Sequence, residues 1–237
     1  EGGDMTSGSE QLRGNRIALV GAIVYLLEWV AIIGSGTPVP IDPVDTKSPS
    51  ALLDLYAQHA TGTKILAGWL ALVLVGRIVF AVGVRSAIGE SHRARPLMDV
   101  AVGVMVVSVA LEVGGYGLAG AAAALAEQGS DANVIIALNG ASNLFGSLIF
   151  APLGVAVAVT ALAMLRSKLF SKWLCWLGLL SGASMAVGGV IVVAALGSTG
   201  FLADMSDAPV SGVVLFWVWM LATGVLLFRR AGRKAIA

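Results

Sequence analysis

Charge and metal-binding side chains are scarce in this chain. Only 12% of its 237 residues are charged, where an ordinary soluble domain carries roughly 25%. One cysteine and two histidines are too few for an internal disulfide, or for the usual zinc, haem and iron–sulfur sites. No metal or cofactor is therefore expected. Disorder is excluded from the other side, because 57% of the residues are hydrophobic and the 15 Lys and Arg nearly cancel the 14 Asp and Glu. What the chain has is apolar length, with a mean hydropathy of +0.89. The composition is that of an all-α polytopic membrane protein.

A hydrocarbon core of about 30 Å takes about 20 apolar residues per helix. Six runs qualify: Arg16 to Gly34, Lys64 to Ala87, Met98 to Ala126, Asn133 to Leu165, Trp173 to Leu196 and Pro209 to Phe228. The fourth is longer than a bilayer needs and contains Pro152. A proline there removes a backbone donor and crowds the preceding turn, so a kink or tilt is expected. Residues 1–12 read as a flexible polar segment, and 13–237 as a single six-helix domain. The first apolar run exceeds the 7–15 residues or so of a cleaved signal peptide and reads as a permanent span.

Lys and Arg near span ends stay on the cytoplasmic side. Arg13, Arg16, Arg85, Arg93, Arg95, Arg166, Lys168, Lys172, Arg229, Arg230, Arg233 and Lys234 all fall on one side of the six-span layout. The opposite loops hold Asp42, Asp45, Asp54, Glu127, Asp131, Asp204 and Asp207, with only Lys47 and Lys64 to balance them. Both termini are thus expected in the cytoplasm, with membrane lipids as the partners of the basic side. The tail from Arg229 to Lys234 reads as a stop-transfer anchor.

The one sizeable external loop runs from Ser35 to Thr63. Its prolines at 38, 40 and 43 favour extended, polyproline-like backbone. Ser48 and Pro49 then resemble a helix start, with Leu52, Leu53, Tyr56 and Ala60 at helical spacing. That predicts a short amphipathic helix on the outer face. It could be a lid gated by His59, or a cover for the ends of its neighbours.

Gly115, Gly117 and Gly120 match the spacing of a dinucleotide-binding fingerprint, but inside an apolar span. The fingerprint needs a strand before it and a helix opening at it. The better reading is a small-residue ridge of Gly115, Ala119 and Ala123 for close helix packing. The glycine density also leaves room for an unwound turn.

The informative residues are the charges within apolar sequence: Glu28, Arg77 and Glu112. Each costs at least about 2.5–3.5 kcal/mol at the bilayer centre, so all three should face inward and find partners. Counted from the cytoplasmic ends of their spans, they lie about 18, 14 and 21 Å deep. Two acids and one base leave a charge of −1. Either one carboxyl carries a proton or a cation completes the group. The alternative is a structural arginine bridge between three helices.

Tyr25, Ser108 and Tyr116 extend this polar face at helical spacing. On the fourth span Asn139 and Asn143 are i and i+4, beside Ser142 and Gly146. Amides in hydrocarbon must be hydrogen-bonded, so these also face inward, as helix glue or as ligand contacts. Trp173 and Trp176 read as interfacial anchors. Trp217 and Trp219 lie deeper, lining a cavity or facing lipid. Cys175 reads as apolar filler, and His92 has no partner nearby in sequence. No nucleophile, metal set or phosphate loop points to an enzyme, and no nucleic acid is implied.

The segment Leu169-Phe170-Ser171-Lys172-Trp173-Leu174-Cys175-Trp176-Leu177-Gly178-Leu179-Leu180 leads from a short basic turn into a Trp-Leu-Gly helix start. With the six-span layout and the Asn-bearing fourth span, it resembles a bacterial family of six-span membrane proteins described only as a domain of unknown function. That resemblance implies a bacterial cytoplasmic-membrane protein and supplies no activity. The two halves show no sequence echo of an inverted repeat. The expected function is binding or translocation of a small hydrophobic or cationic molecule among spans one to four. Glu28 and Glu112 would be proton or cation sites, Arg77 would set their charge, and Tyr25, Tyr116, Asn139 and Asn143 would supply polar contacts. The competing reading is an accessory or assembly subunit, which docks a partner subunit or another copy through the span-three ridge and the outer helix.

Overall fold

The computed structural model describes residues 4–35, 48–89, 93–196 and 208–234. Among them the secondary structure is helical: α1 (Asp4–Leu26), α2 (Glu28–Ser35), α3 (Pro49–Val73), α4 (Val75–Ile88), α5 (Arg95–Glu127), α6 (Ala132–Leu148), α7 (Phe150–Ser167), α8 (Lys172–Ala195) and α9 (Ala208–Lys234). They make six stretches long and apolar enough to cross a bilayer: Gly14–Gly34, Pro49–Ile88, Arg95–Glu127, Ala132–Ser167, Lys172–Ala195 and Ser211–Gly232. The expected polyproline-like stretch at 37–43, the acidic residues 42, 45, 204 and 207, and His92 lie outside the described residues.

Three of the six stretches are broken near their middle, at Leu27, Leu74 and Ile149. The last break falls three residues before Pro152, where the ring denies the preceding turn a donor and produces the expected kink. The unwound turn allowed for in the third span is absent. Helix α5 runs unbroken through Gly114, Gly115 and Gly117.

Two ends extend further than their apolar pattern suggested. Helix α1 begins at Asp4, so the polar segment assigned to residues 1–12 continues the helix of the first span for most of its length. The amphipathic helix opens at Pro49 as expected, with the Ser48 hydroxyl accepting from Ala51 N–H at 3.3 Å. It runs on into the second span through a kink at His59. Pro49–Ile88 is 40 residues, about 60 Å of helix, or twice the hydrocarbon thickness. The surplus lies at the end of the bundle away from both termini. There it packs on the end of α5 and the start of α6 through Leu52, Tyr56, Ala60, Ala122, Ala123 and Ile135.

The spans close into a ring in chain order. Helix α1 packs on α4, α3 and α4 on α5, α5 on α6 and α7, α7 on α8, α8 on α9, and α9 back on α1. The interior is filled by bulky side chains such as Phe80, Met105, Met164, Phe216 and Trp219, all under 2% exposed.

Two helix pairs in this ring meet backbone to backbone, and they do so in the same register. A β-carbon on Gly21 would strike the Phe80 nitrogen and the Gly76 carbonyl. One on Gly76 would lie 2.5 Å from the Tyr25 nitrogen, and one on Gly83 would strike the Ala18 nitrogen. Between α7 and α8, Gly154 meets Ala186 and Gly182, Gly182 meets Ala158, and Gly189 meets Ala151. A shift of 133 residues on the first helix and 106 on the second converts one set of contacts into the other. The two pairs cross the membrane in opposite directions, so the packing carries an inverted relationship. Sequence comparison of the halves misses it because only small residues at fixed spacing specify it.

Candidate functional site

The mid-span breaks place the charges. At the first, the Leu27 N–H is shared between the Ile23 and Val24 carbonyls, each at 3.2 Å. Its own carbonyl accepts from Trp69 Nε1 of α3 at 3.0 Å, so the break exposes no bare backbone to lipid. Glu28 is the first residue of α2. At the second break the Arg77 N–H bonds to the Leu74 carbonyl at 3.1 Å, one residue tighter than an α-helical bond. Arg77 is thereby the third residue of α4. Glu112 comes from the unbroken α5. All three are buried, with Arg77 only 1% exposed.

Arg77 Nη2 donates to Glu112 Oε2, joining α4 to α5. Its guanidinium also lies 5.2 Å from the centre of the Tyr25 ring, within cation–π range. The Tyr25 hydroxyl accepts from Trp217 Nε1 of α9 at 3.3 Å, and Tyr25 interacts electrostatically with Glu28. Tyr116, one turn after Glu112, interacts electrostatically with Glu28, Tyr25, Arg77 and Glu112. Five of the sequence-predicted residues, Tyr25, Glu28, Arg77, Glu112 and Tyr116, are therefore one buried cluster. The Arg77 and Glu112 charges cancel, which leaves Glu28 as the group without a countercharge of its own.

The asparagines belong partly elsewhere. Asn139 accepts from the Tyr56 hydroxyl at 2.8 Å, in the outer extension. Its neighbour Ser142 donates to the Gly115 carbonyl at 2.8 Å, and the Asn143 carbonyl accepts from Ser147 at 2.8 Å. Asn143 is buried on the same inward stripe of α6. His59 is half-buried at the α3 kink, with φ −114° and ψ 18°. It stands 18 residues from Arg77 in sequence, about 27 Å of helix, and so is no part of the cluster.

Both deep tryptophans face the bundle rather than lipid. Trp219 is 0% exposed, stacked edge-on to Phe80 at 5.5 Å. Trp217 meets Trp29 edge-on at 4.7 Å while donating to Tyr25. Sequence spacing gave no sign of that last contact, which joins residues 192 apart. Trp173 and Trp176 are each 62% exposed, as interfacial side chains would be.

Several buried polar atoms have no hydrogen-bond partner among the described residues, including Glu28 Oε2, Arg77 Nε, Ser108 Oγ, Trp219 Nε1 and Thr223 Oγ1. Each such atom left bare costs about 1–3 kcal/mol. Five together rival the whole stability of a typical domain, about 5–15 kcal/mol. Farther out, the buried Tyr56, Asn139 and Ser142 side chains all have partners.

The chain matches no protein-family model, no curated protein and no solved structure.

Proposed function

We propose that this membrane protein binds or translocates a small hydrophobic or cationic molecule, with Glu28 as the exchangeable proton or cation site. The observation that carries this reading is the Glu28 carboxyl, buried with one oxygen unpartnered beside an Arg77–Glu112 pair that is already neutral. A lone carboxylate charge in such a place is costly, so it is held neutral by a proton or balanced by a bound cation. Tyr25, Tyr116, Arg77 and Glu112 are the titratable and charged groups around it. The inverted relationship between the α1–α4 and α7–α8 pairs supports the same reading, since transporters are often built from such halves with the site between them. The basic ends of the spans favour cytoplasmic termini, and the resemblance noted above favours a bacterial inner membrane.

The accessory-subunit reading draws less support. Its docking ridge is covered within the chain: Ala119 and Ala123 are 0% exposed and the Gly115 carbonyl accepts from Ser142.

The test uses the full chain in lipid nanodiscs with tetraphenylphosphonium as the probe cation. Binding is expected to weaken as pH falls, and Glu28→Gln should remove that dependence without lowering the unfolding temperature. Binding that is absent, or equal at all pH values in the unaltered protein, overturns the proposal.

A further inference from the structure

The cations at the basic end of the bundle are met differently in its two halves. Where α4 passes to α5, Asp99 accepts from both Arg85 and Arg95, so an acid sits between the bases. Where α7 passes to α8, Arg166, Lys168 and Lys172 have no such neighbour, since the sequence holds no Asp or Glu between Asp131 and Asp204 or after Asp207. Neither these three nor Arg229 and Arg230 of α9 form an ion pair among the described residues.

Arg230 is held against the α7–α8 turn. Its guanidinium lies 5.6 Å from the centre of the Phe170 ring, within cation–π range, and Phe170 is itself anchored in the main core. Lys168 and Lys172 each stand two residues from Phe170, at most about 8 Å away between α-carbons, and both are exposed. Three cations from separate elements thus gather at one ring with no described acid among them, a repulsion that an anion would relieve. The backbone adds an independent sign. Lys168 ends α7 with φ 57° and ψ 9°, and among the described residues it is the one non-glycine with positive φ. A helix end of this shape ordinarily takes glycine, so a lysine in that strained conformation points to a role for its side chain.

The neighbours of these charges identify the partner. Leu169, Trp173, Trp176 and Phe228 are large apolar side chains exposed close in sequence to Lys168, Lys172 and Arg229. A soluble anion would meet the cations and leave those side chains in water. A phospholipid serves both, with its phosphate on the cations and its chains on the apolar groups. We propose that Lys168, Lys172 and Arg230 form a binding site for the headgroup of an anionic phospholipid.

Native mass spectrometry of the full chain, released from nanodiscs of equal phosphatidylglycerol and phosphatidylcholine, counts the lipid that each molecule retains. The unaltered protein is expected to keep phosphatidylglycerol in preference by at least about tenfold. Lys168→Gly and Arg230→Gln should each reduce that preference about fivefold. Lys168→Gly should do so while raising the unfolding temperature, because glycine relieves the strain. The control is Arg85→Gln, which removes the same charge from the same end but at the turn that Asp99 already serves, and it should leave the preference intact. Equal retention of the two lipids by the unaltered protein overturns the site, as does a preference unchanged in the Lys168 and Arg230 variants. A preference lowered as much by Arg85→Gln as by those variants also overturns it, since a general attraction of the basic end would then suffice.

Discussion

Trp217 donates its indole proton to the Tyr25 hydroxyl across 3.3 Å, from α9 to α1. Because the indole can only donate, the phenol must accept there, and its own proton is left for another acceptor. The last span thereby orients a group on the first, and the ring closes through a polar contact as well as an apolar one.

Trp217→Phe keeps the aromatic contact with Trp29 but removes the donor. The expected loss is about 1 kcal/mol, the usual net value of one hydrogen bond. It is checked by unfolding in mixed micelles. Because the Tyr25 hydroxyl is then free to rotate, pH-dependent probe binding should also shift, whereas a purely structural tryptophan would change stability alone.

The Arg77–Glu112 pair is buried and joins α4 to α5, and removing one member should cost more than removing both. Arg77→Ala leaves two carboxyls facing apolar surroundings, an expected loss of about 3–5 kcal/mol. Arg77→Met combined with Glu112→Met should recover much of it, since no buried charge is then unpaired. The control is Lys64→Met, which breaks the exposed pair with Glu127 and should cost no more than about 1 kcal/mol. Thermal midpoints of the four proteins decide this. If Arg77→Ala is as stable as the unaltered chain, the bridge holds nothing together.

Much of this arrangement was legible in the sequence, for a physical reason. Glu28, Arg77 and Glu112 stand out because a charge inside an apolar run has few tolerable places, all of them inward and paired. Spacing along one helix likewise reached Tyr25 and Tyr116. Contacts between helices far apart in sequence, such as Trp217 on Tyr25, were not legible, nor was the separation of Asn139 from the cluster by its bond to Tyr56. Apolar patterning also understated α3, whose polar outer turns continue the helix without an apolar face long enough to announce it.

That outer extension should behave as a separate unit of stability. Tyr56→Phe removes the 2.8 Å bond to Asn139, an expected loss of about 1 kcal/mol. The loss should be local, because Tyr56 packs with Leu52, Ala60, Ala122, Ala123 and Ile135 rather than with the main core. Hydrogen exchange should therefore quicken over 49–60 and the start of α6 but not in α4. Equal quickening throughout would mean that the extension and the membrane bundle unfold as one.

The glycine contacts make the most discriminating prediction about the fold. Gly→Ala inside a helix ordinarily gains about 0.5–1 kcal/mol, and Gly103 and Gly140, with nothing within 4 Å of an added β-carbon, should show that gain. At Gly76 and Gly182 the same methyl would lie 2.5 Å from backbone nitrogens of the facing helix, which cannot step aside as a side chain can. Gly76→Ala and Gly182→Ala must push the two helices apart and should cost about 1–3 kcal/mol, as overpacking does. If the two pairs are equivalent halves, the costs should match within about 0.5 kcal/mol and add in the double variant, since independent sites are additive to that extent. Gly76 lies next to Arg77, so only Gly76→Ala should also alter probe binding. Disturbed binding in Gly182→Ala would show that strain in the second pair is transmitted to the cluster.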